Sequence, residues 1–87
     1  MRSLKELAKE AIEVQDACNL SGVIHAWDRA VVELRQLIPN QDTDFYNTHP
    51  INQMYASKVH DLTQMGLSDY DSFAGAYHDC KNLAERS

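Results

Sequence analysis

The sequence predicts an all-α fold, and two observations carry that prediction. Apolar residues recur at three- and four-residue steps in several segments, as they do along one face of a helix, and no run of alternating β-branched residues occurs. Only three glycines and two prolines occur in 87 residues. We therefore predict one domain, residues 1–87, of three or four helices in an antiparallel bundle or hairpin arrangement.

The first predicted helix begins at Ser3. Ser3 and Glu6 fit a capping box, in which the serine side chain accepts from a first-turn amide and the glutamate accepts from the serine amide. We expect this helix to run to about Asn19. Its apolar stripe keeps helical spacing and consists of Leu4, Leu7, Ala11, Val14 and Cys18.

The second predicted helix, from about Ser21 to Leu37, carries its apolar stripe on another side. At about 100° per residue the two stripes lie roughly 160° or more apart, so either the helix breaks near Gly22 or one long helix buries two faces. Pro39 ends this helix, because proline disfavours helical geometry in the residue before it. The second stripe consists of Leu20, Ile24, Trp27, Val31, Leu34 and Ile38.

Residues 39–49 are predicted to form a polar loop that Phe45 and Tyr46 pin onto the rest of the molecule. A loop of this length is longer than most helix connections and is a reasonable place for function. His49-Pro50 then begins the third predicted helix, with proline at its first position.

Two further signals complete the predicted helices. Met65-Gly66-Leu67 fits a helix end with glycine in the left-handed conformation. Residues 68–71 supply a cap and first-turn acids for the last helix, which we expect to fray by Arg86. All of these boundaries follow from local sequence signals.

Composition limits the classes of partner. A formal net charge of −5 with scattered lysines and arginines argues against direct binding of duplex nucleic acid. No apolar segment is long enough to cross a membrane and no signal-peptide pattern is present, so we expect a protein of the cytoplasm. Cys18 and Cys80 are expected to be small buried hydrophobes in a reducing compartment.

A polar cluster is predicted beside Gly22. If the first two helices are continuous, six residues extend the first apolar stripe as a polar surface: Ser21, Gly22, His25, Asp28, Arg29 and Val32. A groove that changes from apolar to polar suits a ligand with an apolar ring and charged or hydroxylated groups. The alternative is that these residues form a solvated face beyond a helix break.

A second polar cluster lies at the start of the third predicted helix. Asp44, Asn47, Thr48 and His49 surround its N-terminus, where amides without partners and the positive end of the helix dipole can receive an anion. The alternative is that these residues simply cap the helix. The basic residues expected nearest to such a site are Arg29, Arg35 and Lys58.

The sequence does not predict an enzyme. His25 and Asp28 are three residues apart and could pair as an acid–base couple, but the same spacing is common on solvated helices, and no nucleophile is placed beside them. The four histidines and two cysteines lack metal-site spacing. We therefore expect no metal and no cofactor.

Two motifs resemble a family of small proteins from phages and other mobile elements for which no activity is established. They are Asp16-Ala17-Cys18-Asn19-Leu20-Ser21-Gly22 followed by His25, and Thr43-Asp44-x-x-Asn47-x-His49-Pro50-Ile51 followed by Lys58 and Leu62-Thr63. The resemblance covers roughly residues 12 to 66, and this chain has Ser57 where relatives have an aspartate before the lysine. It implies an accessory protein that counters host defence, by binding a defence protein or by sequestering its nucleotide signal.

The leading hypothesis is a non-enzymatic module that holds a small polar or anionic, nucleotide-type ligand between helices and forms homo-oligomers. On this hypothesis Lys58→Ala weakens ligand binding without changing the thermal midpoint. The alternative is an interaction protein that inhibits a host factor through its acidic or apolar surface. Self-association is expected because a small monomer has little with which to cover two opposed stripes. The predicted ligand-binding residues are Asn19, Ser21, His25, Asn47, His49 and Lys58.

Overall fold

A computed structural model describes residues 3–63 and 70–86. Within these residues it contains helices and no strand, which confirms the all-α prediction. The expected signals at Met65–Leu67 and Ser68–Asp69 lie outside the described residues. The five α-helices are α1 (Leu4–Glu13), α2 (Leu20–Leu37), α3 (Thr43–Thr48), α4 (Pro50–Leu62) and α5 (Tyr70–Glu85).

The start of α1 agrees with the sequence, but its end does not. The capping box is present: the Glu6 amide donates to Ser3 Oγ at 3.2 Å, and the Glu6 carboxylate accepts from the Ser3 amide at 3.3 Å. The helix ends at Glu13 rather than near Asn19, and the chain continues as a 3₁₀ turn over Val14–Asp16. It becomes extended at Ala17, where ψ is 144°.

The break between the first two helices lies before Gly22. Asn19 caps α2, because its Oδ1 accepts from the Gly22 amide at 3.2 Å, and Gly22 sits in the first helical turn. A side-chain cap explains the position of the break without any need for glycine flexibility. The two helices are therefore not continuous, and the polar residues from Ser21 to Val32 do not extend the apolar face of α1.

The predicted loop 39–49 contains a helix, which raises the helix count above the three or four expected. Asp42 caps α3 by accepting from the Phe45 amide at 2.8 Å. Tyr46 is only 3% exposed, and its burial pins this segment as predicted. Six residues are too few to show a helical repeat, so only the cap signal could have indicated α3.

The helices of the core lie around α4. Helix α1 packs against α5 and α4, and α2 packs against α4. Both apolar stripes therefore contribute buried residues to one core, although Ile24 of the second stripe is 40% exposed. Self-association stays a prediction. The fully buried residues include Leu7, Ala11, Ala30, Leu34, Ile51, Met54 and Tyr55.

The two cysteines differ. Cys80 is buried, and burial together with the nearby Asp79 carboxylate raises the pKa of its thiol to about 12, as expected for a small core residue. Cys18 is exposed because it follows the break after α1, so its predicted burial is wrong. Neither is in a disulfide.

None of the described helices combines the length and the apolar character that crossing a membrane requires.

Candidate ligand-binding site

A cavity of about 470 Å³ opens between α2, α3 and α4, and we call it the α2–α4 cavity. Its volume falls within the range of small-molecule sites, about 300–1,000 Å³. It lies on the side of α2 that carries the second apolar stripe. Its lining residues are Trp27, Asp28, Val31, Val32, Arg35, Tyr46, Asn47, Asn52 and Ala56.

The walls of the α2–α4 cavity are mainly apolar. Trp27 and Val31 on α2 and Ala56 on α4 line the cavity, and each is partly exposed. Apolar walls with a few polar groups are the usual composition of a small-molecule pocket. The cavity can therefore receive a flat apolar group.

Arg35 supplies the positive charge at this cavity. The Cζ atom of its guanidinium lies 4.4 Å from the centre of the Tyr46 ring, which is cation–π distance. Among the described residues Arg35 makes no ion pair and donates no hydrogen bond. Its fork of N–H donors can therefore bind a planar or tetrahedral anion.

Tyr46 is a rigid support for this guanidinium. Its hydroxyl donates to the Ile38 carbonyl at 2.6 Å and accepts from the Gln41 amide at 3.4 Å. Its own carbonyl accepts from Asn52 Nδ2. These bonds hold the ring from both ends, so the position of Arg35 is set by a residue that is itself fixed.

Asn52 is a buried polar residue of the cavity wall. It is 4% exposed, and its Oδ1 has no hydrogen-bond partner among the described residues. Leaving a buried acceptor without a donor costs about 1–3 kcal/mol. Asn52 holds Tyr46 through its amide nitrogen, and that role explains why an amide lies at this position.

Charges of opposite sign lie at the two ends of the cavity. Asp28 and Arg35 are seven residues apart on α2, which places them on the same face and about 10 Å apart along the helix axis. An anionic group bound at Arg35 is therefore two turns from the Asp28 carboxylate. Asp28 limits how much negative charge a ligand can carry into the cavity.

Three of the predicted site residues lie near the start of α2, away from this cavity. Asn19 uses its side chain to cap α2, and Ser21 is exposed in the first turn. His25 is exposed and lines a shallower concavity with Gly22 and Arg29. The structure does not bring these three residues to the α2–α4 cavity.

Two predicted site residues lie near the junction of α3 and α4, and only Asn47 lines the α2–α4 cavity. Asn47 lies on the wall of the α2–α4 cavity. His49 caps α4, since its Nδ1 accepts from the Ile51 amide at 3.2 Å. Burial lowers the pKa of His49, and a neutral ring is what this cap requires. Its side chain thus occupies the helix N-terminus where an anion was expected.

Lys58 has a structural position. Lys58 is only 9% exposed. Its Nζ donates to the Gln15 carbonyl at 2.9 Å and lies 3.6 Å from Asp61 Oδ2. Gln15 in turn donates to the Met54 carbonyl at 3.0 Å. These bonds fasten the end of the α1 segment to α4, so the amine is already occupied within the chain.

The other basic and acid–base candidates separate as well. Arg29 pairs with Glu10 at 2.8 Å, whereas Arg35 lies at the cavity. His25 and Asp28 line different concavities, so the structure does not join them into one site. Within the described part of the chain no group of three His, Cys, Asp or Glu side chains could hold a metal ion.

Sequence reasoning placed Trp27 in a core stripe and gave Asn52 no role. The sequence did indicate an apolar face of α2, and two residues of that stripe, Trp27 and Val31, line the cavity. Nothing in the sequence indicates a role for Asn52. Its role is a hydrogen bond from its side-chain amide to the Tyr46 carbonyl, which only the folded chain brings together.

Comparison of the chain with protein-family models, with curated proteins and with solved structures gives no match.

Proposed function

We propose that this protein is a non-enzymatic binding module that holds a small ligand with a flat apolar ring and one anionic group in the α2–α4 cavity. A nucleoside monophosphate has this chemistry. The observation that carries the proposal is the Arg35 guanidinium, stacked on a fixed Tyr46 ring at an apolar cavity and without an ion pair among the described residues.

The ring of the ligand lies against Trp27, Val31 and Ala56. Aromatic and aliphatic walls bind any base through its π-face, with about 1–3 kcal/mol from stacking on an aromatic side chain. Asn47 offers both donor and acceptor groups for the edge of the ring. Binding of the base is therefore expected to tolerate changes in its identity.

The anionic group binds at Arg35. Of the three basic residues named by the sequence, Arg29 already pairs with Glu10 and Lys58 already binds the Gln15 carbonyl. Of these three, Arg35 is the one that makes no ion pair and donates no hydrogen bond among the described residues. Because Asp28 lies at the other end of the cavity, one phosphate is favoured over a chain of phosphates.

Sequestration is the function that such a site performs without catalysis. The resemblance to phage accessory proteins suggests a nucleotide signal of host defence as the natural ligand. Binding without turnover fits this cavity, because the only carboxylate among its described lining residues, Asp28, lies about 10 Å along α2 from Arg35.

Trp27 makes the test direct, because it is the only tryptophan of the chain and it lines the cavity. We expect adenosine 5′-monophosphate to change Trp27 fluorescence with saturation, and native mass spectrometry to show one added nucleotide per chain. Adenosine is expected to bind at least about tenfold more weakly, because it lacks the charge-assisted hydrogen bonds to Arg35.

Three variants separate the roles of the charges. Arg35→Met should reduce affinity for the monophosphate to that for adenosine, whereas Asp28→Asn should increase it. Lys81→Met removes an exposed cation on α5 and serves as the matched control. It should change neither the affinity for the monophosphate nor that for adenosine. If neither nucleoside nor monophosphate alters fluorescence or adds mass, the proposal is wrong.

A further inference from the structure

Helix α2 carries an exposed strip that its own chain leaves uncovered. Ile24 is 40% exposed and Val32 is 55% exposed, although both belong to a helix whose inner face is buried. Together with Asp28 and Arg35 they occur at steps of four, four and three residues. We call these four residues the outer ridge of α2.

The charges of the outer ridge are arranged symmetrically about its centre. Asp28 and Arg35 differ by about 20° in direction around the helix, and the midpoint between them falls between Val31 and Val32. Each charge therefore lies about 5 Å along the axis from a central pair of valines. One end of this arrangement is negative and the other is positive.

We infer that the outer ridge of α2 is a docking surface for a second copy of this chain, in which the two α2 helices run antiparallel. A two-fold interface brings residue i against j and j against i. A pairing centred between Val31 and Val32 then places each Asp28 opposite the partner's Arg35. The two valines of each copy meet at the axis, where Val32 becomes buried.

Charge complementarity selects a second copy over an unrelated partner. The chain carries a net charge of −5, so two copies repel each other over most of their surface. On the outer ridge the charges of Asp28 and Arg35 sum to zero. In the antiparallel arrangement each Asp28 lies opposite an Arg35 of the other copy, which gives two attractive pairs. A strongly basic partner would find only one carboxylate on this ridge, beside the guanidinium of Arg35.

This inference does not require a ligand, although the two charges and the two central valines of the interface also line the α2–α4 cavity. The anion of a ligand and the partner's Asp28 compete for the same guanidinium, so ligand binding is expected to weaken pairing. The two proposals predict opposite effects of Asp28→Asn. That variant should strengthen binding of an anion and weaken association of the protein.

The test is sedimentation equilibrium of the ligand-free protein at micromolar to millimolar concentration. We expect a concentration-dependent mass that rises toward twice the 9.9 kDa of the chain. Asp28→Arg and Arg35→Asp each place like charges across the interface and should weaken association by at least about tenfold. The double variant D28R/R35D restores opposite charges and should return the dissociation constant to within about threefold of the original.

Controls keep the result interpretable. Glu85→Arg makes the same change in net charge as Asp28→Arg, at an exposed position of α5, and should leave association unchanged. Val32→Glu places two carboxylates at the axis and should give monomers. All these positions are exposed, so circular dichroism should show helical content and thermal midpoints near those of the original chain. Monomers throughout the concentration range, or a double variant as weak as the single ones, would overturn the inference.

Discussion

Lys58 and Arg35 are two cations on neighbouring helices whose surroundings differ in one essential respect. Lys58 is nearly buried, and its amine binds the Gln15 carbonyl and lies near Asp61. Arg35 is exposed and its guanidinium lies over the Tyr46 ring, with no hydrogen bond from its N–H groups among the described residues. The first cation stabilises the fold, and the second can bind something else.

This difference teaches that residue type and motif do not identify a binding residue. A cation is available to a ligand when its donors have no partner inside the chain, and burial with a backbone carbonyl removes that availability. The contrast holds for histidine too, since His49 caps α4 whereas His25 is exposed.

The largest effect is expected for Lys58→Met. Methionine keeps much of the aliphatic chain but leaves the part-buried Gln15 carbonyl without its donor, which costs about 1–3 kcal/mol of unfolding free energy. For a domain of this size each kcal/mol lowers the thermal midpoint by about 4–8 °C. We expect a lower midpoint with unchanged nucleotide affinity by Trp27 fluorescence.

The exposed Lys81 provides the control for this prediction. Lys81→Met removes the same charge and should change stability by no more than about 0.5 kcal/mol. The structural role of Lys58 would be contradicted if Lys58→Met left the thermal midpoint unchanged and abolished nucleotide binding. That result would restore the interpretation drawn from the sequence, in which Lys58 contacts the ligand.

The fold could be predicted where local signals act alone. Ser3 and Glu6 located the start of α1, and Pro50 located the start of α4. The end of α1 could not be predicted, because apolar spacing continues through Cys18 while the Asn19 cap and the contacts of Gln15 with α4 end the helix earlier. Tertiary contacts overrode a pattern that was locally consistent.

The candidate site was harder to predict than the fold. Periodicity placed Trp27 in an apolar stripe, but a stripe does not show which of its residues line a cavity and which are covered by a neighbouring helix. The partners of Lys58 and Arg35 lie 43 and 11 positions away in the sequence, at Gln15 and Tyr46. A sequence shows that a cation is present, whereas its availability depends on such distant partners.

An intermediate effect on stability is expected at His49. Its ring, like the amine of Lys58, makes a hydrogen bond within the chain, but protonation of the ring abolishes that bond. Burial lowers its pKa in the folded chain below that of the unfolded chain, and protonation of Nδ1 also removes the acceptor for the Ile51 amide. Between the two pKa values the unfolded chain binds more protons than the folded chain. The contribution of His49 to the unfolding free energy is therefore fully present above about pH 6.5 and decreases as the pH falls below that value.

His49→Asn tests this dependence, because asparagine is a good N-cap that does not titrate in this range. Urea denaturation from pH 7.5 to pH 5 should show the original chain losing stability relative to the variant, by at most about 1.4 kcal/mol per pH unit. The other histidines are common to both chains and cancel in the difference. Parallel stability profiles would show that His49 does not act as a neutral cap.

The smallest effect on stability, and the sharpest test of the comparison, is expected at Arg35. An exposed cation–π contact contributes about 0.5–1 kcal/mol, so Arg35→Lys should change the midpoint by only a few degrees. Lysine keeps the charge but lacks the planar fork that binds a phosphate through two parallel hydrogen bonds. We therefore expect Arg35→Lys to weaken nucleotide affinity severalfold while the fold is retained. If Arg35→Lys instead destabilises the chain as much as Lys58→Met does, the guanidinium belongs to the fold, and the contrast between the two cations fails.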